Sequence, residues 1–205
     1  MAADLASGHT GHMSLHITGD PAADDLLTRD PLALLIGMLL DQQIAMEQAF
    51  AGPWKIQQRV GTLDPAALAA YDSQALVEVF RQTPAVHRYP GSMAGRVQGL
   101  CRRVVDEWDG DAAAIWTRSA PDGPPDGPAV LRRLRALPGF GEQKSKIFLA
   151  LLGKQYGFSG SGWREASAPY GEDGSHRSVA DITGPESLAQ VRDVKRAQKA
   201  SAKQR

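Results

Sequence analysis

The sequence predicts an all-α protein, a two-lobed helical bundle, and three observations support this prediction. Apolar residues recur at three- and four-residue spacing in segments that begin at capping residues, which is the pattern of helices with a buried face. No alternating apolar and polar run of useful strand length is present. The 205 residues include only 5 Phe, 4 Tyr and 4 Trp, so the core is expected to consist mainly of Leu, Ala and Val.

The N-terminal residues 1–14 mix Gly, Ala, His, Met and Ser without a period, and we expect them to form a disordered leader. Residues 15–205 are expected to form one domain with two lobes, starting with a short extended segment at Leu15 to Thr18. The first strong helix begins at Asp30, a capping residue, and Pro31 suits its first position. The apolar positions of this helix are Leu32, Leu35, Ile36, Leu39 and Leu40.

Further helices are predicted by the same periodicity and capping signals. In the first half these are a helix that carries Met46, Phe50 and Trp54, two short helices opened by Asp64-Pro65 and by Ser73, and an amphipathic helix from Ser92 to Trp108. Residues 119–128 hold four prolines and two glycines, which predicts a loop or a turn between the lobes. In the second half we predict helices over Ala129 to Leu137, over Glu142 to Tyr156 and from Pro185 onward, with an irregular polar segment at 157–183.

The single cysteine limits the chemistry that the chain can support. Cys101 has no second cysteine to pair with, so neither an intrachain disulfide nor a multi-cysteine zinc or iron–sulfur site can form. We therefore expect no cofactor and no metal. The chain has no apolar run of about 18 residues and no N-terminal secretory pattern. These features predict a cytoplasmic protein without a membrane partner, associated with the nucleoid if the chain is bacterial.

The net charge of zero conceals opposite charges in the two halves of the chain. Residues 1–126 contain 9 Lys and Arg against 16 Asp and Glu, a net charge of −7. Residues 127–205 contain 14 against 7, a net charge of +7. The second half could meet an anionic partner, or the two lobes could attract each other, and the charges alone leave both interpretations open.

The segment Leu137-Pro138-Gly139-Phe140-Gly141 lies between two predicted amphipathic helices and carries the functional argument. Its glycines allow positive φ and a close approach of the backbone to a ligand. The following helix offers free N–H groups and the positive end of its dipole, to which Lys144 and Lys146 add charge. This arrangement suits a phosphate. Phe140 is expected to anchor the hairpin between the helices, although an ordinary glycine-containing turn would have a similar sequence.

At these residues the chain resembles the helix-hairpin-helix DNA glycosylases, a superfamily of base-excision-repair enzymes. Residues 137–147 are similar to the family's hairpin and second helix. The segment Leu39-Leu40-Asp41-Gln42-Gln43-Ile44 resembles the end of the first core helix in the branch that acts on alkylated purines. The absence of a four-cysteine loop likewise points to branches without an iron–sulfur cluster. Residues 30–156 carry the resemblance.

The resemblance implies a partner and a set of binding residues. The partner is double-stranded DNA, bound through phosphates without regard to sequence by a monomeric protein. Gln43 would fill the gap that an extruded base leaves, because a glutamine amide both donates and accepts hydrogen bonds. The expected DNA-binding residues are Gln42, Gln43, Pro138, Gly139, Phe140, Gly141, Gln143, Lys144 and Lys146. Alternatively, the two glutamines have no binding role and simply form the polar end of the helix.

The chain departs from the family at two catalytic positions. Members that form a Schiff base place a lysine where this chain has Gln143, and Lys144, one residue later, lies about 100° further around the helix. Lys144 therefore suits a phosphate contact, and a glycosylase of this type would use water. The family's carboxylate has no aligned counterpart, and one of Glu165, Asp173 and Asp181 is the expected catalytic residue. Each of the three also has a structural interpretation, as a solvated or capping side chain.

Three functions follow from these residues. The first is a monofunctional DNA glycosylase that hydrolyses the N-glycosidic bond of a damaged base. The second is a non-catalytic module that binds distorted or damaged DNA. The third is a helical interaction protein with no nucleic-acid role, which predicts no salt-dependent affinity for DNA. The loop residues Trp163, Tyr170 and His176 could touch a base or phosphate, and the basic C-terminal residues could extend a phosphate-binding face, but solvent exposure or core packing would explain them equally well.

Overall fold

The computed structural model describes residues 14–203, except for the side chains of residues 198, 199 and 201–203, and this part of the chain is helical. The predicted leader at 1–14 lies almost entirely outside the described residues. The helices are α1 (Pro21–Arg29), α2 (Pro31–Leu40), α3 (Met46–Phe50), α4 (Gly52–Val60), α5 (Pro65–Ala70), α6 (Ser73–Arg81), α7 (Pro90–Trp108), α8 (Ala114–Thr117), α9 (Gly127–Arg135), α10 (Glu142–Gln155), α11 (Trp163–Ala166) and α12 (Pro185–Lys203), with a short 3-10 helix, η1, at Val179–Asp181. The prediction of an all-α protein is confirmed.

Aspartate caps determine where many of the helices begin. The Asp30 carboxylate accepts hydrogen bonds from the amides of Leu32 and Ala33, as the sequence predicts. The carboxylates of Asp20, Asp64, Asp72 and Asp126 cap α1, α5, α6 and α9 in the same way. Several of these helices have proline in the first turn, where no N–H donor is required.

The helices pack in two groups around one continuous core. In the first group, α2 contacts α1, α3, α4 and α7, and its residues from Leu32 to Leu40 are all buried. In the second group, α10 contacts α9, α11 and η1. Because α2 is apolar on all sides, it must be enclosed by other helices, and its C-terminal end lies against the second group. The candidate site forms at that end.

Several sequence predictions need correction. The segment Leu15 to Thr18, predicted to be short and extended, bends at Ile17 and Thr18, where the Asp24 carboxylate accepts hydrogen bonds from both amides and holds the segment against α1. Helix α1 itself was not predicted. The single helix predicted around Met46 to Trp54 is two helices, α3 and α4, because Pro53 cannot donate the N–H that a continuous helix needs.

The C-terminal elements agree with the predictions in outline. The segment at 157–183 is mostly irregular, as expected, and contains only α11 and η1. Helix α12 begins at Pro185, and Val191 on its inner face is completely buried.

None of the helices within residues 14–203 combines the length and the apolar character that crossing a bilayer requires.

Candidate nucleic-acid interface

A tight turn joins α9 to α10 at the hairpin that the sequence singled out. Helix α9 ends at Arg135, and the Phe140 amide donates to the Leu137 carbonyl at 3.1 Å. Gly139 has a φ of +79°, which a residue with a Cβ rarely adopts. A Cβ at this position would also lie 2.5 Å from Leu39 Cδ1, so the turn packs directly on the end of α2.

The first turn of α10 presents free backbone donors. Within the described residues, the amides of Gly141, Glu142, Gln143 and Lys144 have no acceptor, and the first bond of the helix runs from the Ser145 amide to the Gly141 carbonyl. Gly141, Glu142 and Gln143 are exposed. These N–H groups lie at the positive end of a 14-residue helix. They can bind a phosphate.

Phe140 anchors the turn, as the sequence predicts. Its side chain is buried, and its ring meets the Phe148 ring of α10 edge to face at 5.8 Å. Leu137 is buried beside it, whereas Pro138 is half-buried. The apolar anchor holds the hairpin in place while its glycines stay exposed.

Lys144 turns inward and caps α2. Its Nζ donates to the carbonyls of Met38 at 2.6 Å and Leu39 at 2.9 Å, two of the carbonyls that the end of a helix leaves unpaired. Burial lowers the pKa of Lys144 to about 8, against an attraction to Asp41 that raises it. Between pH 8 and the ordinary lysine pKa of 10.5, Lys144 is mostly neutral in the folded protein but mostly protonated in the unfolded chain. The unfolded chain therefore binds more protons, and the contribution of Lys144 to the free energy of unfolding rises with pH across this range. The sequence did not foresee this cap.

We expect Lys144→Met to lower the free energy of unfolding by about 1–3 kcal/mol, because the Met38 carbonyl loses its donor and the Leu39 carbonyl keeps only the one from Gln42. The matched control is Lys146→Met. Lys146 forms an exposed i,i+4 ion pair with Glu142, and its loss is expected to cost about 0.5 kcal/mol or less. Urea denaturation followed by circular dichroism measures both variants. Equal losses would contradict the capping role of Lys144.

Gln42 and Gln43 have different environments. The Gln42 side chain is held within the protein, since its amide donates to the Leu39 carbonyl at 2.7 Å and its oxygen accepts from Arg96 at 2.9 Å. Gln43 is exposed and has a φ of +59°, an unusual value for a residue other than glycine. Such backbone conformations concentrate at functional sites. Of the two glutamines, Gln43 is therefore the more exposed and the less tightly held.

Two residues that the sequence reasoning missed, His87 and Tyr89, support these glutamines. His87 is fully buried, and its Nδ1 accepts from the Tyr89 amide, so Nε2 carries the proton and donates to the Gln42 carbonyl at 3.0 Å. Burial lowers the pKa of His87, which favours this neutral form. The Tyr89 hydroxyl donates to Gln43 Oε1 at 3.3 Å. His87 and Tyr89 lie just before Pro90, where nothing in the sequence distinguishes them from ordinary loop residues.

A cleft of about 870 Å³ opens directly beside Gln43. One wall is the segment 41–48 and the other is α12, which contributes Val191, Arg192, Lys195 and Arg196. Arg192 is ion-paired with Glu47 across the cleft, which ties α12 to α3. The volume is typical of sites for small molecules. The sequence could not predict this cleft, because its walls are about 150 residues apart in the chain.

Two carboxylates line this cleft: Glu47 is ion-paired with Arg192, and Asp41 is not part of an ion pair within 4 Å among the described residues. No group among the described residues donates a hydrogen bond to its side chain. Burial raises the pKa of Asp41, and the positive charges of Lys195 and Lys144 oppose that shift. A half-buried carboxylate without hydrogen bonds is costly to maintain, so it is a candidate to bind a ligand. Asp41 was not among the carboxylates selected from the sequence.

None of the three carboxylates selected from the sequence lines the cleft. Asp181 is bound internally: it pairs with Lys154 at 2.6 Å and accepts from the Ser175 hydroxyl and from the amides of Arg177 and Ser178. Its side chain is 2 % exposed. The structural interpretation of Asp181, as a capping residue, therefore accounts for all of its contacts.

The other two carboxylates lie on the surface. Asp173 forms an exposed ion pair with Arg164, and Glu165 is exposed on α11.

Among the loop residues, Trp163 is buried against α10 and is not available for stacking. Tyr170 accepts a hydrogen bond from the exposed Gln143 at 2.9 Å, which directs Gln143 along the surface next to the hairpin.

Among the described residues, no group of three or more His, Cys, Asp or Glu side chains is placed to hold a metal ion. Comparison with protein-family models gives no match, and comparison with curated proteins gives none either. The function is therefore inferred from the geometry of the hairpin, Gln43 and the cleft.

Proposed function

We propose that this protein binds double-stranded DNA at sites where base stacking is interrupted. The exposed amides from Gly141 to Gln143 bind a backbone phosphate, and Gln43 enters the stack. These contacts read no base edge, so binding is independent of sequence around the interruption. Binding of distorted DNA without base removal is the activity that the geometry favours.

The observation that carries the proposal is the conformation and position of Gln43. It is an exposed glutamine in a left-handed backbone conformation, one residue from a glutamine that is fully occupied. Leu39 connects the hairpin to Gln42, the neighbour of Gln43, since Leu39 contacts Gly139 and its carbonyl accepts from both Lys144 and Gln42. A phosphate-binding turn and a side chain suited to fill a gap in the stack thus meet at the end of one helix.

The absence of a loop carboxylate from the cleft argues for binding without cleavage. Water attack at the sugar needs a carboxylate near the sugar to stabilise its developing positive charge. Asp181 is committed to Lys154 and two amides, and Asp173 to Arg164. Neither is free to act there without breaking these contacts.

The proposal is tested by fluorescence anisotropy with two labelled duplexes that differ in one unpaired nucleotide. We expect the protein to prefer the interrupted duplex, and Gln43→Ala to weaken that preference by about tenfold, equivalent to about 1.4 kcal/mol. Gln74→Ala, at an exposed glutamine on α6, is the matched control and should retain the preference. Affinity should also fall steeply with salt. Equal binding of both duplexes by the wild type would refute the proposal.

A monofunctional glycosylase is the second candidate, and Asp41 is the observation that favours it. With a base in the cleft, ionised Asp41 could stabilise positive charge on the sugar while the C1′–N bond breaks and its electron pair leaves with the base. Water then bonds to C1′ and loses a proton, and the released base takes up a proton. Heat-alkali cleavage of duplexes carrying single alkylated, deaminated or oxidised bases measures this activity. Strand cleavage with the wild type but not with Asp41→Asn would establish it.

A further inference from the structure

We propose that the cleft between the segment 41–48 and α12 receives a purine extruded from the duplex, and that Asp41 recognises it through paired N–H donors of the guanine type. This inference rests on the proposed function, because Gln43 must occupy the stack for a base to leave it. It adds a substrate class, which neither the hairpin nor Gln43 can determine.

The position of the cleft suits an extruded base. Gln42 and Gln43 form part of its rim, so a base displaced by Gln43 moves only a short way to enter it. Ile44, Met46 and Val191 provide apolar lining, and Met46 sulfur can contact the edge of an aromatic ring. The volume of about 870 Å³ leaves room for the sugar as well as the base.

The charges around the cleft match a nucleotide. Lys195 Nζ lies 3.6 Å from Met46 Sδ and faces the same space as Asp41. Arg192 and Arg196 line the same wall of α12. Arg192 is paired with Glu47, whereas Arg196 forms only an exposed pair with Asp193. Lys195 and Arg196 therefore suit the phosphates that flank an extruded nucleotide, and Asp41 is the lining carboxylate that remains for an N–H donor.

The chemistry of Asp41 selects among the bases. An ionised carboxylate has two acceptor oxygens and no donor, so it pairs best with two adjacent N–H groups. Guanine presents N1–H and N2–H side by side. Adenine and cytosine present an amino group beside a ring nitrogen acceptor, and thymine presents one N–H between two carbonyls. Lys195 and Lys144 favour the ionised form of Asp41, whereas burial and Glu47 oppose it.

The inference is tested with four duplexes that are identical except for one unpaired nucleotide. Its base is guanine, hypoxanthine, adenine or thymine. Hypoxanthine differs from guanine only by lacking the 2-amino group. We expect the wild type to bind the guanine duplex about tenfold more tightly than the hypoxanthine duplex, as for a bidentate base contact. Asp41→Asn should bring the ratio close to one, and Asp173→Asn, at an exposed aspartate outside the cleft, should leave it unchanged.

A second variant protects the test against a folding defect in Asp41→Asn. Ala45 is exposed and lines the cleft, so Ala45→Phe narrows it without entering the core and should also remove the preference for guanine. A ratio near one in the wild type, or a preference kept by both variants, would overturn the inference. If the wild type still bound interrupted duplexes in a Gln43-dependent manner, the proposed function would stand. Failure to bind any duplex would overturn both.

Discussion

Asp181→Asn is expected to lower the free energy of unfolding by about 3 kcal/mol, because it breaks a buried ion pair and leaves the Lys154 charge with only the Glu172 carbonyl and the Ser175 hydroxyl as acceptors. The Asp181 side chain is 2 % exposed, and that of Lys154 is 13 % exposed. The asparagine also presents an amide where two backbone amides need acceptors, those of Arg177 and Ser178. The segment that precedes α12 would then be held to α10 by the bond from Gln155 to the Ala180 carbonyl but not by the ion pair.

Urea denaturation measures this loss, and a DNA-binding titration below the unfolding transition accompanies it. Asp173→Asn is the control, because Asp173 is an exposed member of a surface ion pair and its change should stay within about 0.5 kcal/mol. A large loss of stability with normal binding would establish Asp181 as a structural residue. A stability like that of the wild type would contradict this structural role, and loss of base release by such a variant in the heat-alkali assay would instead mark Asp181 as the catalytic carboxylate.

Gly141→Glu is expected to weaken DNA binding about a hundredfold, which corresponds to about 2.7 kcal/mol. A Cβ at Gly141 would meet no heavy atom within 4 Å, and its φ of −71° is accessible to any residue, so the fold should tolerate the change. The new carboxylate would occupy the free amides of α10 and repel the phosphate. Charge-assisted bonds of this kind contribute about 1.5–3 kcal/mol each.

The matched control for the hairpin variant is Ala66→Glu, which makes the same charge change in the first turn of α5. Ala66 is exposed. Its helix begins at Asp64, which lines a cavity together with Asp30, the cap of α2. This cavity therefore lies at the opposite end of α2 from Gln43. This control should bind DNA almost as well as the wild type. A comparable loss in both variants would mean that net charge, rather than the hairpin amides, determines the affinity.

The local structure of the site could be predicted from the sequence. Asp30 and Pro31 signalled the start of α2, and the glycines and Phe140 signalled a turn anchored by an aromatic ring. These features depend on residues within a few positions of one another, whose hydrogen bonds and allowed φ angles are intrinsic to the local chain. The all-α class follows for the same reason, because apolar periodicity is a local property.

The long-range partners of the same residues were decided only by the tertiary structure. The sequence could not show that Lys144 caps a helix about 100 residues away, that Gln42 is tied to Leu39 and Arg96 while Gln43 is exposed, or that the Asp181 carboxylate is buried in an ion pair. Nor could it show Asp41 in a cleft closed by α12. Burial and charge pairing depend on which distant segments pack together, so the direction of a polar side chain is determined only when the core has formed.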